Sequence, residues 1–372
     1  MTIPFIDLAA QQARIKPKLD AAMARVLEHG QYIGGPEVRS LEAGLSAFCG
    51  VKHSLSCANG TDALLLALKA LSIGPGDAVF TPSFTFAATA EVVALANATP
   101  VFVDVLPDTF NMDPGSLKRA IAAARAARLR PAAVIPVDLF GLPADYDTLT
   151  AIAHENGMKV IADSAQGFGG SYHGRVAGSI GDVATTSFFP AKPLGCYGDG
   201  GAVFTDDDEI AALIDSYRWH GRGSHNYAHE RVGINSRLDT LQAAILIEKL
   251  AIYTDEIDAR QVVAQRYTNA LSNRYETPYV PDGLTSVWAQ YTLKLADQAE
   301  RTALQARAKA AGVPTAVYYP APLHTQKAYA HHPRDPEGLK VSDDLSTRVV
   351  SLPMHAYLTP ETQERIVAAI VV

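Results

Sequence analysis

Short runs rich in β-branched residues alternate with segments of helical period between residues 53 and 205. The strand-like runs are HSLSCA, AVFTP, PVFVDV, AAVIPVDLFG and KVIAD, and helices are expected over 61–71, 86–96, 117–127 and 146–155. Strands that alternate with helices of this length predict an α/β fold, with a mostly parallel central sheet and helices on both faces. Such sheets bind ligands beyond the carboxyl ends of their strands, so the residues that follow each strand are the candidates for function.

The pattern changes after residue 237, where one long amphipathic helical stretch covers 238–271. A strand over 287–295, a helix over 301–311 and a loop rich in Pro and His over 319–336 are expected next. We therefore predict a large domain over 1–250, which includes the N-terminal segment, and a smaller C-terminal α+β domain over 251–372.

The charge balance and the cysteines narrow the classes of function. The 372 residues carry a net charge of -7, whereas a surface that binds nucleic acid needs a basic face. Cys49, Cys57 and Cys196 form no CxxC pair, which favours a reducing compartment. The first residues lack a signal-peptide pattern, and no apolar run reaches about 18 residues. We expect a cytoplasmic protein that contacts neither nucleic acid nor membrane.

Asp163 ends the strand-like run KVIAD, which would bring its carboxylate to the ligand-binding edge of the sheet. An acid at this edge can bind a metal, act as a base or face a cationic nitrogen of a cofactor. It can also simply cap a following helix, a position that Asp favours. The residue alone leaves these alternatives open.

Lys192 lies between Pro190 and Pro193, after an apolar strand and before a glycine-rich turn. The two prolines predict a rigid loop that cannot become helical. Desolvation in apolar surroundings would lower the pKa of this lysine and make its amine a nucleophile suited to a Schiff base. Most lysines are solvated surface charges, and this is the alternative explanation.

The segment NGTD at 59–62 follows a strand and begins a helix. The N–H groups of Gly60 and Thr61 at such a helix start can bind a phosphate, although an ordinary helix N-cap explains the same residues. Neither a P-loop nor a well-placed GxGxxG is present, which argues against nucleotide hydrolysis and NAD chemistry. Together with Asp163 and Lys192, this turn supplies the parts that pyridoxal 5'-phosphate (PLP) chemistry needs.

Five motifs occur in order along the chain: SCANGTDALLLAL, TPSFTFAATAEVV, ADSAQGFGGSY, TSFFPAKPLGCYGDGGA and VGINSRLDTLQAAIL. With these motifs the sequence resembles the DegT/DnrJ/StrS aminotransferases, which are PLP enzymes of fold type I that aminate nucleotide-linked keto-sugars. The resemblance implies L-glutamate as amino donor and a homodimer with shared active sites. Within the family, the chain resembles the O-antigen enzymes that aminate the 3-keto group of a UDP-2-acetamido-2-deoxy-hexuronate.

The resemblance also implies a role for each site residue. Lys192 would form the Schiff base and carry protons, and Asp163 would keep the pyridine nitrogen protonated. The other cofactor contacts would be Gln166 at the ring hydroxyl, Phe86 on the ring face, and Gly60, Thr61, Ser187 and, from the neighbouring subunit, Asn235 at the phosphate. The substrate residues would be Arg237, which meets the sugar acid across the interface, with Tyr318, Tyr319 and Tyr32.

Tyr318 departs from the family pattern, which has His before Tyr-Pro. This leaves a neutral 6-deoxy keto-sugar linked to dTDP or UDP as an alternative substrate. A non-catalytic regulatory protein of the same fold is a second alternative, and a sugar 3-dehydratase is disfavoured because that branch has His in place of Lys192. The histidines at 220, 225, 229, 324, 331 and 332 show neither HExxH nor paired cysteines, so no metal is expected.

Overall fold

A seven-stranded sheet runs through the larger part of the molecule, in a computed structural model that describes residues 3–225 and 227–371. The strands are β1 (His53–Cys57), β2 (Asp77–Pro82), β3 (Thr99–Val103), β4 (Arg130–Val134), β5 (Lys159–Asp163), β6 (Ser171–Tyr172), β7 (Arg175–Val176), β8 (Val183–Ser187), β9 (Gly201–Thr205), β10 (Leu284–Thr285), β11 (Tyr291–Lys294) and β12 (Val349–Leu352). The α-helices are α1 (Leu8–His29), α2 (Pro36–Cys49), α3 (Gly60–Ala70), α4 (Ala88–Leu95), α5 (Pro114–Ala126), α6 (Tyr146–Glu155), α7 (Asp208–Arg218), α8 (Thr240–Leu250), α9 (Tyr253–Leu271), α10 (Gln298–Ala310), α11 (Lys340–Arg348) and α12 (Pro360–Val371).

The strand order of the large sheet is β1-β9-β8-β5-β4-β2-β3. β9 pairs antiparallel with both of its neighbours, and all other pairings in this sheet are parallel. The prediction of an α/β fold with a mostly parallel central sheet is therefore confirmed. The carboxyl ends of β5 and β8 are adjacent, which brings the residues after these two strands to one edge of the sheet.

Helices cover both faces of this sheet because its strands are apolar on both sides. Consecutive side chains of a strand point to opposite faces. In β2, Phe80 accordingly packs in the apolar layer that contains Leu117 of α5 and Leu149 of α6. Its neighbour Val79 packs in the other layer, with helices α3, α4 and α7. Because both layers need helices to cover them, strand-like runs alternate with helical segments along the sequence.

A further apolar cluster surrounds the antiparallel pair β11 and β12, and its members after the N-terminal Ile3 lie between residues 263 and 370. Helix α9 reaches both cores. Its residues Tyr253 and Ile257 pack in the apolar layer that contains Phe80. Tyr267 and Leu271 pack in the C-terminal cluster. The division into domains 1–250 and 251–372 stays a prediction.

Two predicted elements differ from the structure. The helical stretch 238–271 is two helices, since α8 ends at Leu250 and α9 begins at Tyr253. The expected strand AAVIPVDLFG is represented by β4, which ends at Val134. Pro136 follows and has no N–H for a strand ladder, and a 3₁₀ turn covers Leu139–Gly141.

Sequence reasoning also left helices α1, α2, α7, α11 and α12 without a prediction. Among the described residues, no helix combines the length and the apolar character that crossing a membrane requires.

Candidate active site

Asp163 lies at the carboxyl end of β5, and its side chain is buried. The hydroxyl of Thr89 donates to Oδ2 at 2.9 Å, and the N–H of Ala165 donates to Oδ1 at 3.2 Å. Residues 165–169 form turns rather than a helix, so the helix-cap explanation of Asp163 is wrong. Burial raises the pKa of this carboxyl, while the bond from Thr89 and the charge of Lys192 act in the opposite direction. The buried carboxyl therefore lies where a neighbouring cation would stabilise its charged form.

Lys192 lies in the loop 188–200 between β8 and β9, in its first part, 188–196. The N–H of Cys196 donates to the carbonyl of Phe188 at 2.8 Å and closes the base of this loop. Within the loop, the N–H of Lys192 donates to the carbonyl of Phe189 at 2.8 Å. The lysine is thus presented on a tight, internally bonded turn, as its flanking prolines predict.

The electrostatic surroundings of Lys192 differ from those of a surface lysine. Although the residue keeps some exposure, protein atoms surround its amine, and this burial lowers its pKa. The charge of Asp163 opposes the shift, so the two groups are close enough to interact. The direction of the shift is the one that the apolar neighbours in the sequence predict. A second lysine, Lys249, is fully buried and donates from Nζ to the carbonyl of Gly195 at 2.5 Å, which holds the end of the loop.

The turn before α3 combines a helix cap with an open helix end. The side chain of Asn59 accepts from the N–H of Asp62 at 2.8 Å, so the N-cap explanation holds. The N–H groups of Gly60 and Thr61 precede this bond and have no partner among the described residues. A Cβ on Gly60 would lie 2.6 Å from Cβ of Ser187, so only glycine allows the end of β8 to approach this helix start.

Phe86 and Gln166 border the same region. Phe86 is 57% exposed, which is unusual for phenylalanine and makes its side chain accessible to a ligand. Gln166 is buried, and its Oε1 accepts from the N–H of Phe140 at 2.9 Å. Its Nε2 donates to the hydroxyl of Tyr319 at 3.1 Å, which connects the turn after β5 with the loop 318–324.

Arg237 and Asn235 form a second group with Trp219. Nη2 of Arg237 donates to Oδ1 of Asn235 at 2.6 Å, and the guanidinium lies 4.8 Å from the centre of the Trp219 ring. Nε of Arg237 is buried and has no partner among the described residues. Between these residues, the hydroxyl of Ser236 accepts from the N–H of Ala58 at 3.2 Å, which places the group beside the turn that leads to Gly60.

Three tyrosines were predicted to contact substrate. Tyr32 is half-exposed, and its carbonyl accepts from the N–H of Thr240 at 2.9 Å. The ring of Tyr319 packs edge-on against Phe84, and burial raises the pKa of its hydroxyl. Tyr318 is partly buried beside it. The structure thus joins Tyr319 to the Asp163 turn through Gln166, while Tyr32 belongs with the segment that begins α8.

Sequence reasoning missed Thr89, Lys249 and Asp138. Each of them contacts a predicted site residue, or the segment that carries one, across a long stretch of sequence. No motif marks such partners, because a single hydroxyl, lysine or acid at these positions is ordinary. Burial raises the pKa of the Cys196 thiol to about 11, in keeping with a packing role. Within 3–225 and 227–371, no group of three His, Cys, Asp or Glu residues could hold a metal ion.

An α/β sheet that brings a buried carboxylate and a desolvated lysine to one edge, beside an open helix start, defines a site built for transamination. The sequence model of the DegT/DnrJ/EryC1/StrS aminotransferase family matches residues 13–371, and the chain belongs to this family. The predicted family and the predicted class of enzyme, an aminotransferase, are confirmed.

Individual relatives agree with this assignment. The chain is 52% identical over 369 residues to the UDP-2-acetamido-2-deoxy-3-oxo-D-glucuronate aminotransferase of Pseudomonas aeruginosa, with 99% of each chain covered. A crystal structure of a DegT DnrJ EryC1 StrS aminotransferase from Brucella abortus shares 52% identity and matches with a TM-score of 0.97, covering 99% of this chain and 98% of that one. NtdA of Bacillus subtilis, solved with bound cofactor PMP, matches at 28% identity with a TM-score of 0.88, covering 99% of this chain and 84% of that one.

Proposed function

We propose that this chain is a PLP-dependent aminotransferase that moves the amino group of L-glutamate to the 3-keto group of a UDP-2-acetamido-2-deoxy-hexuronate. The product would serve the biosynthesis of a surface polysaccharide such as O-antigen. The observation that carries the proposal is the interaction of Asp163 with Lys192 at the carboxyl edge of the sheet. The nearly full-length similarity to an aminotransferase of that substrate supports the choice of sugar.

The residues present fit the cofactor. Gly60 lies so close to Ser187 that a Cβ would clash with it, and the open N–H groups of Gly60 and Thr61 beside this contact suit a phosphate. The carboxylate of Asp163 suits the ring nitrogen, Gln166 the ring hydroxyl and Phe86 the ring face. When bound, PLP supplies an electron sink for the substrate's α-carbon.

Lys192 and Asp163 divide the proton chemistry between them. Because burial lowers the pKa of Lys192, a larger share of its amine is neutral near pH 7 and can attack a carbonyl or accept a proton. The same amine would take the proton from the donor's α-carbon and deliver it to the cofactor carbon that takes up the amino group. Asp163, held by the hydroxyl of Thr89, would face the ring nitrogen and stabilise its protonated form. The second half-reaction runs these steps backwards on the keto-sugar.

The substrate residues support a homodimer with shared sites. Two large apolar residues of one segment are almost fully exposed, Tyr227 at 95% and Val232 at 86%, and a partner subunit that contacts this segment would cover them. Both lie in the segment that leads to Asn235 and Arg237, which we propose reach the active site of the partner subunit. The Arg237 guanidinium, which lies 4.8 Å from the centre of the Trp219 ring, is a planar group suited to the sugar carboxylate.

We also propose that the enzyme works in the cytoplasm. Its three cysteines are free and buried, in keeping with a reducing compartment. Tyr318 supports the alternative of a neutral 6-deoxy keto-sugar, because a phenol stands where the family pattern has an imidazole. The two substrates differ in the carboxylate that Arg237 would bind.

One experiment tests the proposal. The PLP-loaded enzyme is incubated with L-glutamate and either the UDP-linked 3-keto-uronate or a neutral 6-deoxy keto-sugar linked to dTDP or UDP, and the aminated sugar is detected by mass. We expect product from the uronate. Product from the neutral sugar alone would overturn the substrate assignment, and product from neither would overturn the proposed function. Lys192→Ala, with the fold verified by circular dichroism, is the control that should form no product.

A further inference from the structure

A second buried acid, Asp138, lies beside Asp163 and has no part in the proposed proton chemistry. Its side chain is 0% exposed. In the described part of the chain, no Lys, Arg or His nitrogen lies within 4.0 Å of its carboxylate. Burying an acid without a cation is costly, so the charge must be stabilised by other donors.

Three donors converge on the Asp138 carboxylate. Oδ1 accepts from the hydroxyl of Tyr146 at 2.7 Å and from the N–H of Ala144 at 3.1 Å. Oδ2 accepts from the hydroxyl of Ser164 at 2.6 Å. The third bond matters most for the site, because Ser164 directly follows Asp163. The side chain of Asp138 is therefore bonded to the turn that carries the proposed cofactor ligand.

The main chain makes the same connection. The N–H of Asp138 donates to the carbonyl of Asp163 at 3.0 Å, and the N–H of Asp163 donates to the carbonyl of Pro136 at 2.9 Å. A Cβ on Gly167 would lie 2.2 Å from Cβ of Asp138, so the turn after β5 packs directly on this acid. The Asp138 side chain is therefore in direct contact with that turn.

The charge of Asp138 varies near neutral pH. Burial raises its pKa to about 7, against the lowering effect of its bonds from Ser164 and Tyr146. Two titratable groups face it. The charge of Asp163 on β5 raises its pKa, and Tyr146 on α6 is itself buried with a strongly raised pKa and so remains neutral. The charge of Lys192 lowers the pKa of Asp163.

We propose that Asp138 is a positioning residue for the amino transfer: as a carboxylate it holds Ser164 and the turn that follows, and it adds a second negative charge behind Asp163. This rests on the proposed function, because the charge matters only if Asp163 faces a cationic ring nitrogen. Two buried carboxylates stabilise the protonated ring nitrogen more strongly than one does. Affinity for PLP should therefore depend on the ionisation of Asp138.

The test measures the dissociation constant of PLP for the apo-enzyme at pH 6 and pH 8.5, in the wild type and in Asp138→Asn. At pH 8.5 wild-type Asp138 is charged, and we expect the variant to bind PLP about 10-fold more weakly, which corresponds to about one pK unit at the ring nitrogen. At pH 6 wild-type Asp138 is protonated, so the two proteins should bind PLP within about 2-fold of each other.

A merely structural role predicts a different outcome. An equal loss at both pH values, or no loss at pH 8.5, would overturn the inference while leaving the proposed function intact. A wild-type protein that fails to bind PLP would instead overturn the proposed function. If Asp138→Asn does not fold, Tyr146→Phe provides the second measurement. Loss of this donor raises the pKa of Asp138, so the pH at which PLP affinity increases should move upward, and an unmoved midpoint would contradict the inference.

Discussion

The hydroxyl of Thr89 donates a 2.9 Å hydrogen bond to Oδ2 of Asp163, and both side chains are buried. Replacing Thr89 by Val removes the donor with little change of shape. We expect the pKa of Asp163 to rise further, because the bond lowers it. Stabilisation of the transition state should fall by about 1.5–3 kcal/mol, which lowers kcat/KM roughly 10- to 100-fold. Steady-state kinetics with glutamate at pH 7.5 measures it.

Thr89→Ser is the matched control for this prediction, since it retains the hydroxyl. It should keep most of the activity. Equal losses in both variants would show that the methyl group and its packing, rather than the hydrogen bond, determine the effect.

Gly60 should tolerate no side chain. A Cβ there would lie 2.6 Å from Cβ of Ser187, so Gly60→Ala must separate α3 from β8. We expect a loss of about 1–3 kcal/mol in the free energy of unfolding, together with weaker binding of PLP. Gly74→Ala is the control, because its Cβ would find its nearest neighbour at 3.8 Å. If urea unfolding shows the same stability for both variants, the predicted clash at Gly60 is wrong.

Lys249 should make the stability of the protein depend on alkaline pH. Its ammonium is buried over the ring of Tyr197, and burial lowers its pKa to about 8. The unfolded chain, with an ordinary lysine pKa, then binds more protons than the folded chain between about pH 8 and 10.5, so this residue's contribution to stability rises with pH in that window.

The matched variant for this effect is Lys249→Met, which removes the titrating group. From pH 7 to pH 10 the wild type should gain about 2 kcal/mol in the free energy of unfolding relative to Lys249→Met. Lys118→Met, at an exposed position of α5, should follow the wild type over the same range. Parallel pH profiles for wild type and Lys249→Met would contradict the prediction.

Arg237 should determine the preference for an acidic sugar. Its guanidinium is fixed by Asn235 at 2.6 Å and by the ring of Trp219. Arg237→Ala should cost about 2–4 kcal/mol in transition-state binding of the keto-uronate, or roughly 30- to 1,000-fold in kcat/KM. Arg237→Lys should restore only part of it, because a point charge cannot form two parallel bonds. If Arg237→Ala lowers kcat/KM equally for a neutral keto-sugar, Arg237 does not bind the carboxylate.

Local pattern alone predicted much of the large sheet. The run KVIAD forms β5 with the expected last residue, Asp163, and the helix expected over 146–155 has the bounds of α6. Both depend on side-chain period and turn residues within a few positions. The continuous pattern over 238–271 could not show its break between Leu250 and Tyr253, because the apolar residues on both sides of the break belong to the same core layer.

The fold class, the family, the strand end that carries Asp163 and the loop that carries Lys192 all followed from the sequence. Which groups surround these two residues depends on how distant segments pack together. Thr89 is 74 positions from Asp163 and Asp138 is 26 from Ser164, yet their hydrogen bonds hold the acid of the site. Periodicity and turn chemistry act between near neighbours in the chain, whereas burial, and with it the pKa of a buried acid or lysine, arises only when distant segments pack together.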